Sequence, residues 1–431
     1  MIKMKDSGVA WIGEIPANWN LVQTKRYFYN KKQIVGDAVD EYERLALTMN
    51  GVIKRSKDDN EGLQPEKFEG YQILCKNEIV FKLIDLENVK TSRVGLSPYT
   101  GLVSPAYIVI SNDSEDNRFY YYWFMFMYYN EVFNHLGGAG VRSALNAKDV
   151  MMLPIPEIDK TLQKRLADYL DEKCKKIDKI IEKQQSVIEK LKEYKLSVIT
   201  EAVTKGLNPD VDKNEVCVDW LNSKPVTWHQ IKMKYLIKYI ESGVSVNAGQ
   251  EEAKPGELGV LKTGCVSKFF FDVHENKSVN KNEENRVSCP VKANTIIVSR
   301  MNTPELVGAC GYVDHSYNNI FLPDRLWQIH FNETVNVKYI WNYLRCKNVR
   351  NYISSLSTGT SSTMQNISQG QFENITVLLP SITEQNEIVE FLDKKCAGID
   401  ASILKKQKLI RKLTEYKKSL IYEVVTGKKE V

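Results

Sequence analysis

Two short charged runs are the first candidates for catalytic residues in this sequence. Asp171–Glu172–Lys173 and Asp393–Lys394–Lys395 resemble the acidic-x-Lys half of a nuclease site. Neither run has the further acidic partner nearby in sequence that such a site needs. We therefore interpret both runs as the solvated outer face of a long helix, with catalysis as the alternative.

Other residues that could carry chemistry lack the spacing that known sites require. The eight cysteines include no CxxC pair, the closest two are 21 residues apart, and the five histidines show no HExxH spacing. Zinc ligands are usually only a few residues apart, so that one turn presents two of them. A GxxxxGK[ST] phosphate loop and an Asn-Pro-Pro-aromatic methyltransferase motif are also missing. We predict no metal site, no catalytic residue and reduced thiols.

Basic and polar side chains are the remaining candidates, because nucleic-acid binding needs lysine, arginine and hydrogen-bonding groups on one face. They are scattered along the chain, and the sequence does not show which of them converge. Each one has the alternative of being an ordinary surface residue. The candidates are Lys54, Arg55, Lys57, Lys82, Lys90, Arg93 and Arg142 in the first half, and Lys262, Lys268, Arg300, Arg325, Ser361 and Thr363 in the second.

An internal repeat organises the chain. At an offset of 222 residues, Asp171–Thr204 aligns without a gap on Asp393–Thr426, and 19 of the 34 positions are identical. The chain is therefore two tandem copies of one unit, each a variable body followed by a well-matched tail. A weaker repeat, at an offset of 209 residues, places Trp11, Pro16 and Trp19 on Trp220, Pro225 and Trp228.

The tails have the pattern of long helices. Apolar residues recur every three or four positions from Ile177 to Val198, and again from Ile399 to Leu420. This spacing predicts helices with coiled-coil packing, and the uninterrupted first tail would be about 50 Å long. Because neither apolar stripe can be covered alone, we expect the two tails to pack antiparallel about a pseudo-twofold axis.

The bodies combine short β-like runs with helices and predict an α+β fold. Asn117–His135 and Asn336–Tyr352 are predicted helices rich in aromatic residues, which favours core packing, with a base-stacking platform as the alternative. The predicted boundaries are 1–155 for the first body, 156–206 for the first tail helix, 207–377 for the second body and 378–431 for the second tail helix.

Composition sets wider limits. The 431 residues include 59 Lys and Arg against 54 Asp and Glu, and the net charge of +5 permits a polyanionic partner without requiring one. A hydrophobic fraction of 43% excludes wholesale disorder. The sequence contains neither an 18-residue apolar run nor an apolar signal-peptide region at the N-terminus, so we predict no membrane segment and a cytoplasmic location.

Four segments of the chain carry a likeness to a known family: Lys5–Trp19 (KDSGVAWIGEIPANW), Gly140–Pro156 (GVRSALNAKDVMMLPIP), Thr161–Pro209 and Asn366–Cys396. With the internal repeat, which extends the likeness over the whole chain, they resemble the specificity subunit of type I restriction–modification enzymes. The second half departs from the family pattern because it lacks the WIGEIP motif, and the proline before the first tail is shifted relative to Pro380.

The resemblance implies two target recognition domains, each reading one half of a bipartite double-stranded DNA target. The repeated helices would serve as a spacer and as the docking site for two methyltransferase subunits. S-adenosylmethionine would be bound by those subunits, while ATP and Mg would belong to the partner subunits that include the motor/endonuclease. This chain itself would be non-catalytic and would bind no cofactor.

Two other functions remain open from the residues alone. One is a free-standing DNA-binding protein without restriction partners. The other is a bifunctional DNA methyltransferase or nuclease whose active site has no recognisable motif.

Overall fold

The computed structural model describes residues 3–59, 67–84, 93–114, 116–136, 144–218, 221–361 and 364–431. The chain forms two compact units. The first consists of residues 1–185 with 407–431, and the second consists of residues 186–406. Each unit therefore contains one body and parts of both long helices.

Among its described residues, the first half of the chain contains short strands, three short α-helices and one long α-helix. The strands are β1 (Met4–Asp6), β2 (Glu14–Pro16), β3 (Asn20–Gln23), β4 (Tyr29–Lys31), β5 (Arg44–Thr48), β6 (Gly51–Arg55), β7 (Gln72–Leu74), β8 (Ile79–Phe81), β9 (Val94–Leu96), β10 (Gly101–Val103), β11 (Ile108–Ser111) and β12 (Pro154–Glu157). The helices are α1 (Arg118–Tyr129), α2 (Val132–His135), α3 (Ala147–Met151) and α4 (Lys160–Lys205).

The second half repeats this arrangement. Its strands are β13 (Lys213–Val218), β14 (Leu221–Pro225), β15 (His229–Lys232), β16 (Ile237–Ser242), β17 (Gly259–Leu261), β18 (Asn276–Ser278), β19 (Pro290–Val291), β20 (Thr295–Ser299), β21 (Met301–Asn302), β22 (Cys310–Val313), β23 (Tyr317–Phe321), β24 (Leu326–Phe331), β25 (Thr358–Ser361), β26 (Met364–Asn366) and β27 (Thr376–Leu379). Its helices are α5 (Val337–Leu344), α6 (Lys347–Leu356), α7 (Gln369–Glu373) and α8 (Ile382–Val425).

The first body is built on two four-stranded sheets that pack face to face. Their strand orders are β6-β5-β10-β7 and β4-β11-β8-β9. Because side chains alternate along a strand, Val80 and Val109 lie between the sheets, whereas Ile79 and Ile110 pack on the side of α1. The second sheet is therefore covered on both faces.

The second body has the same scaffold. Its sheets have the orders β18-β17-β23-β19 and β16-β24-β20-β22, and the parallel pair β17–β23 corresponds to the parallel pair β5–β10. Ile297 and Val313 lie between the sheets, while Ile296 and Ile329 pack on the side of α5. The predicted α+β class, with its internal repeat, is confirmed.

The aromatic helices α1 and α5 are core elements. Trp123 is fully buried, and its Nε1 donates a hydrogen bond to the carbonyl oxygen of Pro154 at 2.9 Å. Tyr343 is also fully buried, and its hydroxyl donates to the carbonyl oxygen of Thr376 at 2.9 Å. Thr376 is the repeat counterpart of Pro154, so both bodies use an aromatic donor to hold the same strand. The base-stacking alternative is wrong for these buried rings.

Each of the two predicted aromatic helices is divided in the structure. In the first body α1 ends at Tyr129 and α2 begins at Val132, because Glu131 between them has a left-handed backbone with φ of 55°. In the second body α5 ends at Leu344 and α6 begins at Lys347.

The long helices pair antiparallel within each unit. In the first unit, Lys417 Nζ lies 2.7 Å from Asp178 Oδ2. In the second unit, Lys195 Nζ lies 2.6 Å from Asp400 Oδ2. The repeat offset carries Asp178 onto Asp400 and Lys195 onto Lys417, so each ion pair is the repeat image of the other. The predicted antiparallel coiled coil is confirmed.

Both helices begin earlier than the matched segments of the tails. The Asp159 carboxylate accepts a hydrogen bond from the backbone N–H of Leu162 at 2.9 Å, and Ser381 Oγ accepts one from Glu384 N–H at 3.3 Å. These side chains cap the first turns of α4 and α8, which reach 46 and 44 residues. Within the described part of the chain, every helix is too short or too polar to cross a bilayer.

Both long helices end at a glycine that packs against a tryptophan of the weaker repeat. Gly206 has a φ of 78°, and a Cβ there would lie 3.3 Å from Trp228 Cζ2. Gly427 has a φ of 71°, and a Cβ there would overlap the ring of Pro16 and lie 3.2 Å from Trp19. The positive φ and the close approach together require glycine at both ends.

We expect Gly427→Ala to lower the free energy of unfolding by about 1 kcal/mol or more, because it adds steric overlap to backbone strain. Urea unfolding followed by circular dichroism measures the change. The matched control is Gly398→Ala, in the middle of α8, where a Cβ has no neighbour within 4 Å. That substitution should raise the free energy of unfolding by up to about 1 kcal/mol. Equal effects at the two positions would contradict this account.

Candidate nucleic-acid interface

The acidic run at the first tail anchors the body to its helix. Arg118 of α1 lies 2.6 Å from Asp116, 2.7 Å from Asp168 and 2.6 Å from Asp171. The hydroxyl of Tyr122 also donates to Asp171 Oδ1 at 2.7 Å. Asp171 is therefore engaged by the body, and its side chain is 42% exposed. Both carboxylate oxygens of Asp171 already have partners, Arg118 and Tyr122, which argues against the nuclease alternative.

The second acidic run is used in the same way. Lys338 Nζ of α5 lies 2.8 Å from Asp393 Oδ2, and Asp393 is the repeat counterpart of Asp171. Among the described residues, no group of three or more His, Cys, Asp or Glu side chains is arranged to hold a metal ion.

Three of the basic candidates lie together at the edge strand β6 and the turn that follows it. Lys54 forms an ion pair with Glu43, and Arg55 Nε lies 2.7 Å from Asp59 Oδ2. Lys57 Nζ donates to a backbone carbonyl at 2.7 Å. The structure thus brings these three cations to one edge of the first body, each with a partner inside the protein.

The remaining candidates of the first body do not form a described cluster. Arg93 is only 3% exposed, and its Nη1 donates to Asn134 Oδ1 at 2.9 Å. Lys82 lies beside it, with its backbone N–H bonded to the carbonyl oxygen of Arg93. Arg93 has little surface to offer a ligand. Lys90 and Arg142 lie outside the described residues.

Lys262 and Lys268 flank one helical turn of the second body. Lys262 Nζ is 3.9 Å from Glu275 Oε2, and Lys268 is exposed with its Nζ 5.7 Å from the ring centre of Phe270. Their side chains are accessible and only weakly held, as expected of residues that could contact phosphates.

Arg300 and Arg325 are brought together by the backbone. The N–H of Arg300 donates to the carbonyl oxygen of Arg325 at 3.1 Å, and Arg325 is exposed. Arg300 directly precedes the three-stranded sheet β21-β26-β25, whose strand β25 ends at Ser361. Thr363 lies outside the described residues. Guanidinium groups pair bidentately with phosphate and with guanine, so this place suits nucleic-acid contact.

A cleft lies between α1 or α5 and the long-helix segments of the same unit. Its volume is about 890 Å³ in the first unit and about 320 Å³ in the second. Burial raises the pKa of Cys174 in the first cleft to about 11, so this thiol is neutral at pH 7. The repeat-related lining residues are Asp171, Cys174, Asp178 and Lys417 in the first cleft, and Asp393, Cys396, Asp400 and Lys195 in the second.

Sequence reasoning missed two polar pairs on the sandwich sheets. Lys31 Nζ lies 2.9 Å from Glu78 Oε1, and Glu241 Oε1 lies 3.3 Å from Lys292 Nζ. The ring of Tyr239 stacks on His330 next to the second pair, with ring centres 4.1 Å apart. These residues are far apart in sequence, and the register of the strands is what groups them.

Part of the chain matches the model of a known protein family. Residues 225–412 match the family model described as the type I restriction modification DNA specificity domain. The matched residues run from the end of β14 through the rest of the second body and into α8. The resemblance of the chain to type I specificity subunits is thereby confirmed.

Two curated specificity subunits align with the chain. The EcoKI specificity subunit of Escherichia coli (strain K12) is 23% identical over 64% of this chain and 57% of that protein. The StySPI specificity subunit of Salmonella potsdam is 29% identical over 22% of this chain and 20% of that protein. The alignments thus span less than two thirds of these relatives.

A solved structure has a similar fold over most of the chain. A chain from a structure concerning complex assembly and conformational transition of the type I R-M system superimposes with a TM-score of 0.67. The sequence identity is 12%, and the superposition covers 95% of this chain and 98% of that one.

We expect Arg118→Met to lower the free energy of unfolding by about 1 kcal/mol at pH 7, because it leaves the carboxylates at the base of α1 without their cation. The hydrogen bond from Arg118 holds the pKa of Asp116 below its usual value. This stabilisation is therefore complete above about pH 4 and is lost as the pH falls through the lower folded pKa.

The difference between variant and wild type should thus narrow between pH 7 and pH 3, as measured by urea unfolding at both values. Arg165→Met is the control, since it makes the same exchange at an exposed position of α4 and should change little. A loss for Arg118→Met that is as large at pH 3 as at pH 7 would count against the ion-pair explanation.

Proposed function

We propose that this chain is the DNA-recognition subunit of a type I restriction–modification complex, and that each body reads one half of a bipartite target. The observation that carries the proposal is the contrast between bodies and helices. The bodies share one scaffold but differ in their polar side chains, which suits two unlike half-sites. The helices share 19 of 34 matched positions, which suits two copies of one partner.

The accessible cations give each body a means of binding DNA. Lys262, Lys268 and Arg325 are at least partly exposed on the second body, and Lys54 is exposed on the first. Such side chains neutralise phosphates and hold the reader in register, while neighbouring polar groups read base edges. Affinity would come largely from these contacts and would fall with salt.

The paired helices would fix the separation of the half-sites. Helix α4 alone has 46 residues, equivalent to about 70 Å. Readers on one face of DNA lie one helical turn, about 34 Å, or a multiple of it apart. A rigid helical spacer of this length can hold two bodies at such a distance.

The same helices would dock two methyltransferase subunits, one at each repeat-related cleft. In this proposal S-adenosylmethionine binds to those partners, and ATP and Mg to partner subunits that include a motor/endonuclease. The chain itself contributes no catalytic step and supplies only the choice of DNA sequence, in the cytoplasm where the target DNA lies.

Exchange of one body tests the proposal. The full chain is co-expressed with its methyltransferase subunits, and methylated positions are mapped by genome-wide methylation sequencing. Replacing residues 1–155 by the corresponding body of another specificity subunit should change one half of the motif and leave the other half and the spacer unchanged. Replacing residues 207–377 is the matched control and should change the opposite half. A change in both halves from one exchange would contradict the proposal.

Shortening the helices should change the number of base pairs between the two half-sites and leave the bases recognised in each half-site unchanged. Removing residues 183–189 and 406–412 takes one heptad from each helix and keeps the Asp178–Lys417 and Lys195–Asp400 pairs in register. The helices shorten by about 10 Å, which corresponds to about three base pairs. Methylation sequencing should show the same half-sites with a shorter spacer, and an unchanged spacer would refute the spacer role.

A further inference from the structure

One strand position carries opposite charge in the two bodies. Strand β11 lies between β4 and β8, and strand β24 lies between β16 and β20, so Ile110 and Ile329 occupy equivalent places. Lys31 follows the β4 residue that pairs with Ile110. Glu241 follows the β16 residue that pairs with Ile329. The same scaffold position therefore presents a cation in the first body and an anion in the second.

The charge of the residue that pairs with this position is reversed as well. Lys31 contacts Glu78, whose side chain is only 8% exposed, whereas Glu241 contacts Lys292, whose side chain is 45% exposed. An ion pair of either polarity satisfies the charges at this position, so the fold alone does not dictate which residue is the acid. The two bodies therefore offer a ligand different groups at this position, an ammonium group in the first body and a carboxylate in the second.

The carboxylate of Glu241 is held through one oxygen. Its Oε1 accepts hydrogen bonds from Gln328 Nε2 at 2.8 Å, His330 Nε2 at 2.7 Å and Lys292 Nζ at 3.3 Å. Among the residues that the structure describes, none hydrogen-bonds to Oε2. Gln328 is fully buried, and its Oε1 accepts from the backbone N–H of Lys292 at 2.8 Å, so the support is rigid. The second oxygen is thus a fixed acceptor without a partner.

The surroundings of Glu241 keep its carboxylate ionised and leave its side chain partly exposed to solvent. Burial raises the pKa of Glu241, but the hydrogen bonds from Gln328, His330 and Lys292 outweigh it and place the pKa below its usual value. The side chain is 26% exposed. Tyr239, stacked on His330, is 44% exposed and offers an aromatic face next to the carboxylate.

We propose that Glu241 reads one base pair in the half-site of the second body, by accepting a hydrogen bond through Oε2 from the N4 amino group of cytosine in the major groove. The inference rests on the proposed function and assigns a residue to it. A carboxylate accepts from cytosine N4 and is repelled by the two acceptors on the edge of guanine. The first body has Lys31 at this position and cannot make the same choice.

Glu241→Gln tests the inference in the full chain co-expressed with its methyltransferase subunits. The amide replaces a charged acceptor with a group that also donates and keeps nearly the same shape. Methylation sequencing should show one letter of the second half-site losing its preference for cytosine by about tenfold, with all other letters unchanged. Glu241→Asp keeps the charge but withdraws the carboxylate, and it should relax the same letter.

Glu252→Gln is the matched control. Glu252 is also a carboxylate 2.7 Å from a histidine, His274, on the same body, and this change should leave the motif intact. An unchanged motif with Glu241→Gln and Glu241→Asp would overturn the inference, as would a uniform loss of methylation without a change of letter. A wild-type chain that gives no bipartite motif would instead overturn the proposed function, and the inference with it.

Discussion

The antiparallel pairing of the two long helices is the interaction on which the rest of this structure depends. Each helix carries an apolar stripe that is buried partly against the other helix and partly against a body, since Ile177 and Leu420 share one core cluster with α1. Each compact unit therefore takes chain from both halves. Gly427, at the end of α8, packs against Trp19 near the start of the chain, and Gly206 packs against Trp228.

The bodies show how one scaffold can serve two specificities. Their buried parts are equivalent in role even where the residues differ, since Trp123 and Tyr343 hold corresponding strands with the same kind of hydrogen bond. Their polar parts are not equivalent, since Lys31 and Glu241 occupy one position with opposite charge. Packing restricts the first set of residues strongly, whereas the second set is free to vary with the target.

The sequence predicted the helices better than the candidate interface, for a physical reason. Helix pairing depends on local periodicity, and a gap-free repeat displays it directly. A binding surface depends on side chains that meet across strands: Glu241 meets Lys292 and His330, which are 51 and 89 residues away. Charge alone also misled, because Arg93 is basic yet almost fully buried. Only the strand register separates such residues from accessible ones.

The ion pairs between the helices have a consequence for assembly. Asp178 meets Lys417 and Asp400 meets Lys195, so each helix carries the same acid and the same base at equivalent places. These contacts therefore do not distinguish the helix of the same chain from that of another copy. The covalent connection, residues 206–381, favours pairing within one chain because it keeps the two helices at a high effective concentration. The same connection disfavours the exchange of helices between neighbouring copies of the chain.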